Sequence, residues 1–243
     1  MKVEMLDNMG TDASVVRAAR VSYGKETKGP VADALLIDFL IRNGHTSPFA
    51  HVVFSFRLQV PIFVARQLMR HHVGIAWNEI SGRYTKLGDY YVPHLYRFDG
   101  NDKSYSPTAQ KVYENSVESA IRAYEHLLES GVPREVARGV LPLATYTTLI
   151  MTANLRALLN MFEQRLTLHA QEETRDVVHE IFDAIHDKVP ISMKSFTYWK
   201  LDDKRVRTLS TLEQHFHDIT GGKATEEDWQ RYLKRIGEEG ALQ

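Results

Sequence analysis

His51-Val52-Val53-Phe54-Ser55-Phe56-Arg57-Leu58-Gln59-Val60, followed directly by Pro61-Ile62-Phe63-Val64-Ala65-Arg66-Gln67-Leu68-Met69-Arg70-His71-His72, changes its hydrophobic period once. Over residues 51–60 the pattern alternates. Val52, Phe54, Phe56, Leu58 and Val60 face one way, and Val53, Ser55, Arg57 and Gln59 the other. A period of two is that of a half-buried strand. Pro61 suits the first turn of a helix, since it has no N–H to lose there. Ile62 to His71 continues that helix, with Arg66 and Arg70, and Gln67 and His71, spaced four apart on neighbouring rows.

The same reading extends in both directions. Residues 11–23 and 31–43 read as helices, the second with Val31, Leu35, Leu36, Phe39 and Leu40 as its apolar stripe. Gly44 stops it, and residues 45–49 form a turn. On the other side, residues 73–82 read as loop, 83–91 as strand and 98–108 as a polar surface loop. A long amphipathic helix follows, carrying Tyr113, Val117, Ala120, Ile121, Tyr124, Leu127 and Leu128 on its buried face and ending at Gly131. Pro133 begins a short helix. Thr145 to Thr152 reads as a strand, and Asn154 as the N-cap of a helix to about residue 170. A further helix spans roughly 172–188. The tail from 201 is charged, with a short helix over 225–236 whose apolar side is Trp229, Tyr232, Leu233 and Ile236. The fold class is α+β: a helix-rich domain with a small antiparallel or mixed sheet. The change of character sets residues 201–243 apart, as a charged C-terminal extension, from a domain over residues 1–200.

Composition narrows the chemistry. The 243 residues carry a formal net charge of −1, which gives no global pull toward nucleic acid or an anionic membrane. No apolar run is long enough for a transmembrane helix, and residues 1–7 lack a signal-peptide core, so a cytoplasmic protein is expected. There is no cysteine, which excludes disulfides, thiolate metal sites and a cysteine nucleophile. Gly-x-Gly-x-x-Gly, P-loop and Gly-x-Ser-x-Gly motifs are absent. The pairs His45/His51 and His215/His217 lack third and fourth ligands and read as surface or core histidines.

The chemistry concentrates in two runs, Arg66 to His72 and Asn78-Glu79-Ile80-Ser81-Gly82-Arg83-Tyr84. Together they hold three Arg, two His, one Gln, one Asn, one Glu and one Ser, all needing hydrogen-bond partners. A ligand rich in phosphate and imide groups would satisfy them. Ser81 has no base beside it in sequence to make it a nucleophile.

These runs resemble the signature of the flavin-dependent thymidylate synthases: Arg-His-Arg, a spacer, then a Ser inside Asn-Glu-x-Ser-Gly-Arg-Tyr. The stretches 18–23, 44–49, 61–67, 130–138 with Leu141-Pro142, 154–156, and Arg165 to His169-Ala170-Gln171 are also similar to family sequence, so the resemblance covers about residues 10–200. Two departures stand out: His72 occupies the usual second Arg position, and the spacer to Ser81 is one residue longer than the usual seven. A histidine is neutral or only partly charged at pH 7.

The resemblance implies the family's fold and its reaction: dUMP to dTMP, with methylenetetrahydrofolate as carbon donor and FAD, reduced by NADPH, as hydride donor. The absence of cysteine agrees independently, because the other thymidylate synthase class needs a Cys nucleophile. By resemblance Arg165 is catalytic, stabilising a uracil ionised at N3 so that C5 becomes electron-rich. Gln67, Arg70, Glu79, Ser81, Gly82, Arg83, Arg138 and Arg165 would hold dUMP. Ser47, Arg70, His71, His72, Glu79, Asn154, Arg156, Asn160 and His169 would hold FAD. No metal is expected.

On a helix over 155–170, Arg156 and Asn160 fall near about 0° and 40°, and Arg165 and His169 near about 180° and 220°. Two faces aimed in opposite directions suit sites shared between chains, which fits the homotetramer the resemblance implies. Two alternatives remain open at this point: a related flavin- and folate-dependent modification such as hydroxymethylation, and a nucleic-acid-binding module using the Arg-rich helix.

Overall fold

The computed structural model describes residues 1–21, 24, 28–98, 106–201 and 208–238. In chain order the elements are β1 (Lys2–Met9), α1 (Asp12–Arg20), α2 (Pro30–Arg42), β2 (Val53–Pro61), α3 (Ile62–Leu68), β3 (Ile75–Glu79), α4 (Pro107–Glu129), α5 (Arg134–Ala137), β4 (Tyr146–Asn154), α6 (Leu155–Arg165), α7 (Glu172–His186), α8 (Pro190–Phe196), α9 (Leu209–Thr220) and α10 (Glu226–Glu238). The strands form one antiparallel sheet in the order β1-β2-β4-β3. This is the expected helix-rich α+β class. No helix among the described residues is long and apolar enough to cross a membrane.

The opening strand behaves as its period requires. Val52, Phe54, Phe56, Leu58 and Val60 are all fully buried, each contributing about 1.5–3 kcal/mol by leaving water. Thr11 caps α1 in a capping box with Ser14, while Ser22 and Tyr23 lie outside the described residues. Most of the expected loop over 98–108, residues 99–105, also lies outside them. The long helix forms as α4, but only Val117 and Tyr124 of its seven expected core residues are buried; the other five are half-buried.

Three expectations are corrected. The helix after Pro61 ends at Leu68, not His71. Met69 donates its N–H to the Ala65 carbonyl at 2.9 Å, and the chain then turns, with His71 N–H on the Leu68 carbonyl at 3.0 Å. Residues 75–79 form β3 rather than loop; the Ile80 N–H donates to the Thr148 carbonyl at 2.9 Å. The sequence hides this strand because only Ile75 is buried, leaving no alternation to read. Conversely, 83–91 is not a strand. Tyr84 and Thr85 both donate to the Ser81 carbonyl at 3.0 Å in a turn, and only Tyr90 makes an antiparallel bridge, to Thr145.

The chain divides into two compact units. The first comprises Met1–Glu4, Phe56–His72 and Ala76–Met151; the second comprises Met5–Ser55, Val73–Ile75 and Thr152–Gln243. The core of the first includes Phe56, Leu58, Val64, Leu68, Tyr124 and Leu149. That of the second includes Val15, Ile37, Phe49, Leu155, Phe162, Ile181 and Phe196, with Phe162 edge-on to Phe182 at 5.2 Å. Asp12 pins α1 to α8. Its carboxylate accepts from Ile191 N–H (2.8 Å), Ser192 N–H (3.1 Å) and Ser192 Oγ (2.6 Å), serving the first turn of α8 as a cap from outside the helix. Burial holds its pKa above the usual carboxylate value, and the Ser192 and Ile191 bonds offset only part of that rise.

Candidate active site

The polar run lies at the C-terminal end of α3. Gln67 is half-buried on the helix, and Arg70 is exposed just past its end. Because α3 stops at Leu68, Arg70 and His71 do not share helical rows with Arg66 and Gln67. His71 is buried, and its carbonyl accepts the Trp77 Nε1–H at 2.8 Å. That bond satisfies a backbone acceptor the ended helix leaves open. His72 is exposed, with Nδ1 3.1 Å from the Arg70 carbonyl oxygen.

Beyond β3 the first unit gathers several of the expected nucleotide ligands. Glu79 accepts from Thr147 Oγ1 at 2.6 Å, which fixes it on the sheet. Ser81 Oγ accepts the Arg83 N–H at 3.3 Å within the turn. Gly82 is buried, and a Cβ there would stand 3.3 Å from Arg138 Cδ and 3.2 Å from Leu87 Cδ1. A glycine is therefore what lets Arg138 pack against the turn. Arg83 pairs with Glu135 at 3.4 Å, both side chains more than half exposed. An exposed pair of this kind contributes little and exchanges readily for a ligand phosphate. Ser81, Gly82, Arg83 and Arg138 thus meet, with Glu79 two residues before the turn.

The second unit holds a cavity of about 580 Å3 whose lining includes Thr46, Gly74, Asn154, Arg156, Asn160 and Lys200. Three expected FAD ligands, Asn154, Arg156 and Asn160, share it. Asn154 is the N-cap of α6, its Oδ1 accepting the Ala157 N–H at 2.9 Å, as its sequence position requires. Ser47 is exposed and follows the lining residue Thr46. The donors suit a phosphate-bearing ligand such as FAD: two cations, two amides and a helix N-terminus. Arg165 is the last residue of α6 and half-buried. The helix does not reach residue 170. Leu166 caps it with its N–H on the Phe162 carbonyl, and His169 is exposed in the turn that follows. The helical angle therefore places Arg165 but not His169. Among the described residues no group of three or more His, Asp or Glu could hold a metal.

Sequence reasoning missed Thr46, Gly74 and Lys200. Thr46 stood inside a stretch already singled out. Gly74 belongs to the lengthened spacer. It adopts φ +76°, and an added Cβ would lie 2.7 Å from Asn154 Nδ2 and 3.2 Å from Ala157 Cβ; its carbonyl accepts the Asn154 N–H at 3.1 Å. The longer spacer thus passes against the cap of α6 at a point only glycine fits.

A family model described as thymidylate synthase complementing protein matches residues 4–191. The flavin-dependent thymidylate synthase of Thermotoga neapolitana is 44% identical over 195 residues, covering 80% of this chain and 89% of the relative. The chain belongs to the flavin-dependent thymidylate synthase family. The family's enzyme from Thermus thermophilus is 41% identical over 202 residues, covering 80% of this chain and 74% of its own. Among solved structures, a UMP/dUMP methylase, PolB from Streptomyces cacaoi, bound with 5-Br dUMP, superposes with a TM-score of 0.75 at 32% identity, covering 82% of this chain and 95% of that one. The same methylase bound with 5-Br UMP gives 0.71 at 34% identity, with 82% and 94% covered. Helices α9 and α10 lie past the residues the family model matches.

Gly74→Ala tests the contact between spacer and cap. The positive φ and the overlap with Asn154 together cost about 1–3 kcal/mol. The expected outcome is a lower melting temperature and a several-fold weaker retention of flavin, read by desalting and absorbance. An alanine variant that keeps both would show that the spacer does not constrain this cavity.

Proposed function

We propose that this protein converts dUMP to dTMP by reductive methylation, with methylenetetrahydrofolate as carbon donor, FAD as hydride carrier and NADPH as its reductant. The observation that carries the reading is the family match over residues 4–191 in a chain with no cysteine. With no thiolate to add to the pyrimidine, the ring must be activated electrostatically. Arg165 stabilises the uracil anion formed when N3 loses its proton; C5 then bonds to the folate-borne carbon and releases its own proton, the bond from that carbon to the folate nitrogen breaks to release tetrahydrofolate, and N3 regains its proton as the product forms. When bound, FAD supplies the hydride that completes the methyl group.

Gln67, Arg70, Ser81, Gly82, Arg83 and Arg138 hold the nucleotide, with Arg83 and Arg138 on its phosphate. Glu79 serves both the nucleotide and the flavin. Ser47, Arg70, His71, His72, Asn154, Arg156, Asn160 and His169 hold FAD. The shared cavity of Asn154, Arg156 and Asn160 supports this assignment most directly. The protein works in the cytoplasm as a homotetramer with sites shared between chains. The opposed directions of Arg156 and Arg165 on α6 support sharing, and so does the apolar face of α4, on which Tyr113, Ala120, Ile121, Leu127 and Leu128 are only half-buried. Residues 1–200 form the catalytic portion, and 201–243 an extension to it.

The test is the visible spectrum followed by product analysis. Purified protein loaded with FAD is expected to show flavin absorbance that dUMP perturbs, and to form dTMP with NADPH and methylenetetrahydrofolate. UMP belongs in the same assay, because the methylase similar in structure is named for both nucleotides. A hydroxymethylated product, or protein that takes up no FAD, would sink the reading.

A further inference from the structure

The second unit holds a larger cavity, about 830 Å3, bordered by α1, α2 and α10. Its floor is apolar, built from Leu35, Leu36 and Phe39 of α2. Its rim is basic: Arg20 at the end of α1, Lys28 just before α2, and Arg231 and Arg235 on α10. Asp228 is the one carboxylate among the described lining residues. Two of these cations lie on a helix past the family match, so the extension completes a cavity the matched residues alone do not close.

The cations are not all committed to other partners. Arg20 has a side chain only 8% exposed. Its Nη2 donates to Asp33 Oδ1 at 2.5 Å and to the Ala32 carbonyl at 3.3 Å, but its Nε is buried with no hydrogen-bond partner among the described residues. A buried guanidinium N–H left unpaired is costly. The Lys28 ammonium and the Arg235 guanidinium form no ion pair with any described residue. Arg231 pairs with Glu227 and Asp228 on the exposed face of its own helix, where such pairs exchange easily.

The rim is held in place. Tyr232 of α10 donates to Asp38 of α2 at 3.0 Å, in a buried contact between the rim helix and the floor helix. The cavity is of the size small-molecule sites have.

We propose that this cavity is a second ligand site for a phosphate-bearing organic anion of nucleotide size. Its phosphates meet Arg20, Lys28, Arg231 and Arg235, and its flat apolar part lies on Leu35, Leu36 and Phe39. Guanidinium forks with a lysine point charge are a phosphate-binding set, and the apolar floor selects against inorganic phosphate alone. The inference does not rest on the reading of the active site, since variants of the rim decide it.

The experiment is isothermal titration of the full-length, FAD-loaded protein with ATP and with dTTP, in excess dUMP, beside a Lys28→Glu/Arg235→Glu variant and with tripolyphosphate as a third probe. At least one nucleotide is expected to bind once per chain. The variant should bind it roughly tenfold more weakly or worse, the equivalent of about one charge-assisted contact, while keeping its flavin spectrum and melting temperature. Tripolyphosphate should bind more weakly than the nucleotide. Should the double variant fail to fold, Arg235→Gln on the exposed face of α10 replaces it, with weakening again expected. Neither nucleotide binding at millimolar concentration, equal binding by the rim variant, or tripolyphosphate binding as tightly would each overturn the proposal.

Discussion

Replacing Arg165 with alanine is expected to lower kcat by roughly 10²–10³-fold, the usual loss when one preorganised charge stabiliser is removed from developing negative charge. The proposed reaction leans on it unusually heavily because the chain has no cysteine; no covalent adduct can share the work of activating C5. Arg165→Lys should recover only part of the loss, since an ammonium cannot fork onto the edge of a uracil ring. The flavin spectrum should be unchanged in both variants, because Arg165 lies at the opposite end of α6 from the Asn154 cap and Arg156. Steady-state kinetics with the spectrum as control separates the outcomes. An alanine variant with near-normal kcat would remove Arg165 from the chemistry, and one without flavin would make it structural. Mixing Arg156→Ala chains with Arg165→Ala chains, after dissociation and reassembly, should restore activity by pairing an intact cofactor cavity of one chain with an intact Arg165 of another. No recovery would remove the case for shared sites.

What could be read from the sequence follows the range of the forces involved. The strand from Val53 to Pro61 was legible because its apolar positions alternate over most of its length, and the Asn154 cap because its hydrogen bond spans only three residues. The end of α3 was not legible. Arg70 and His71 continue a helical spacing, and what stops the helix is a turn into β3 closed by Trp77 on the His71 carbonyl, six residues on. β3 itself is a strand by pairing rather than by pattern. Helix α9 carries a helical-period signal, Leu212, Phe216 and Ile219, all buried, within a strongly charged tail. The site was legible as a set of residue types. Its grouping was not: Thr46, Gly74 and Asn154 are far apart in sequence and meet in one cavity.

Asp38→Ala is expected to destabilise the protein by about 3–5 kcal/mol, the range for removing one partner of a buried, hydrogen-bonded charge pair. Asp38 is fully buried. Its Oδ1 accepts from Trp199 Nε1 and His215 Nε2, both at 2.7 Å; its Oδ2 accepts from Arg42 Nη1 at 2.8 Å and from Tyr232 OH at 3.0 Å. Burial and the neighbouring Asp38 charge push the Tyr232 phenol far above its usual pKa, so it stays a donor across the working pH range. Alanine would take the carboxylate away from four buried donor groups, one of them the Arg42 guanidinium, whose side chain is only 6% exposed. For a chain of this size the loss corresponds to a fall in melting temperature of roughly 10 °C. Asp38→Asn keeps one acceptor oxygen and should fall between alanine and wild type. A double variant, Asp38→Ala with Arg42→Met, should be less unstable than the sum of the single changes, because the uncompensated charge leaves with its partner. Thermal unfolding of the set checks this; strict additivity would mean that Arg42 and Asp38 do not act as a pair. The partners Trp199, His215 and Tyr232 lie 161, 177 and 194 residues away in sequence, and two of them belong to the extension. A single carboxylate on α2 therefore ties the helices past the family match to the core of the second unit. Cutting the chain near residue 201 is expected to destabilise what remains, because Asp38 would keep its burial cost while losing two of its four donors.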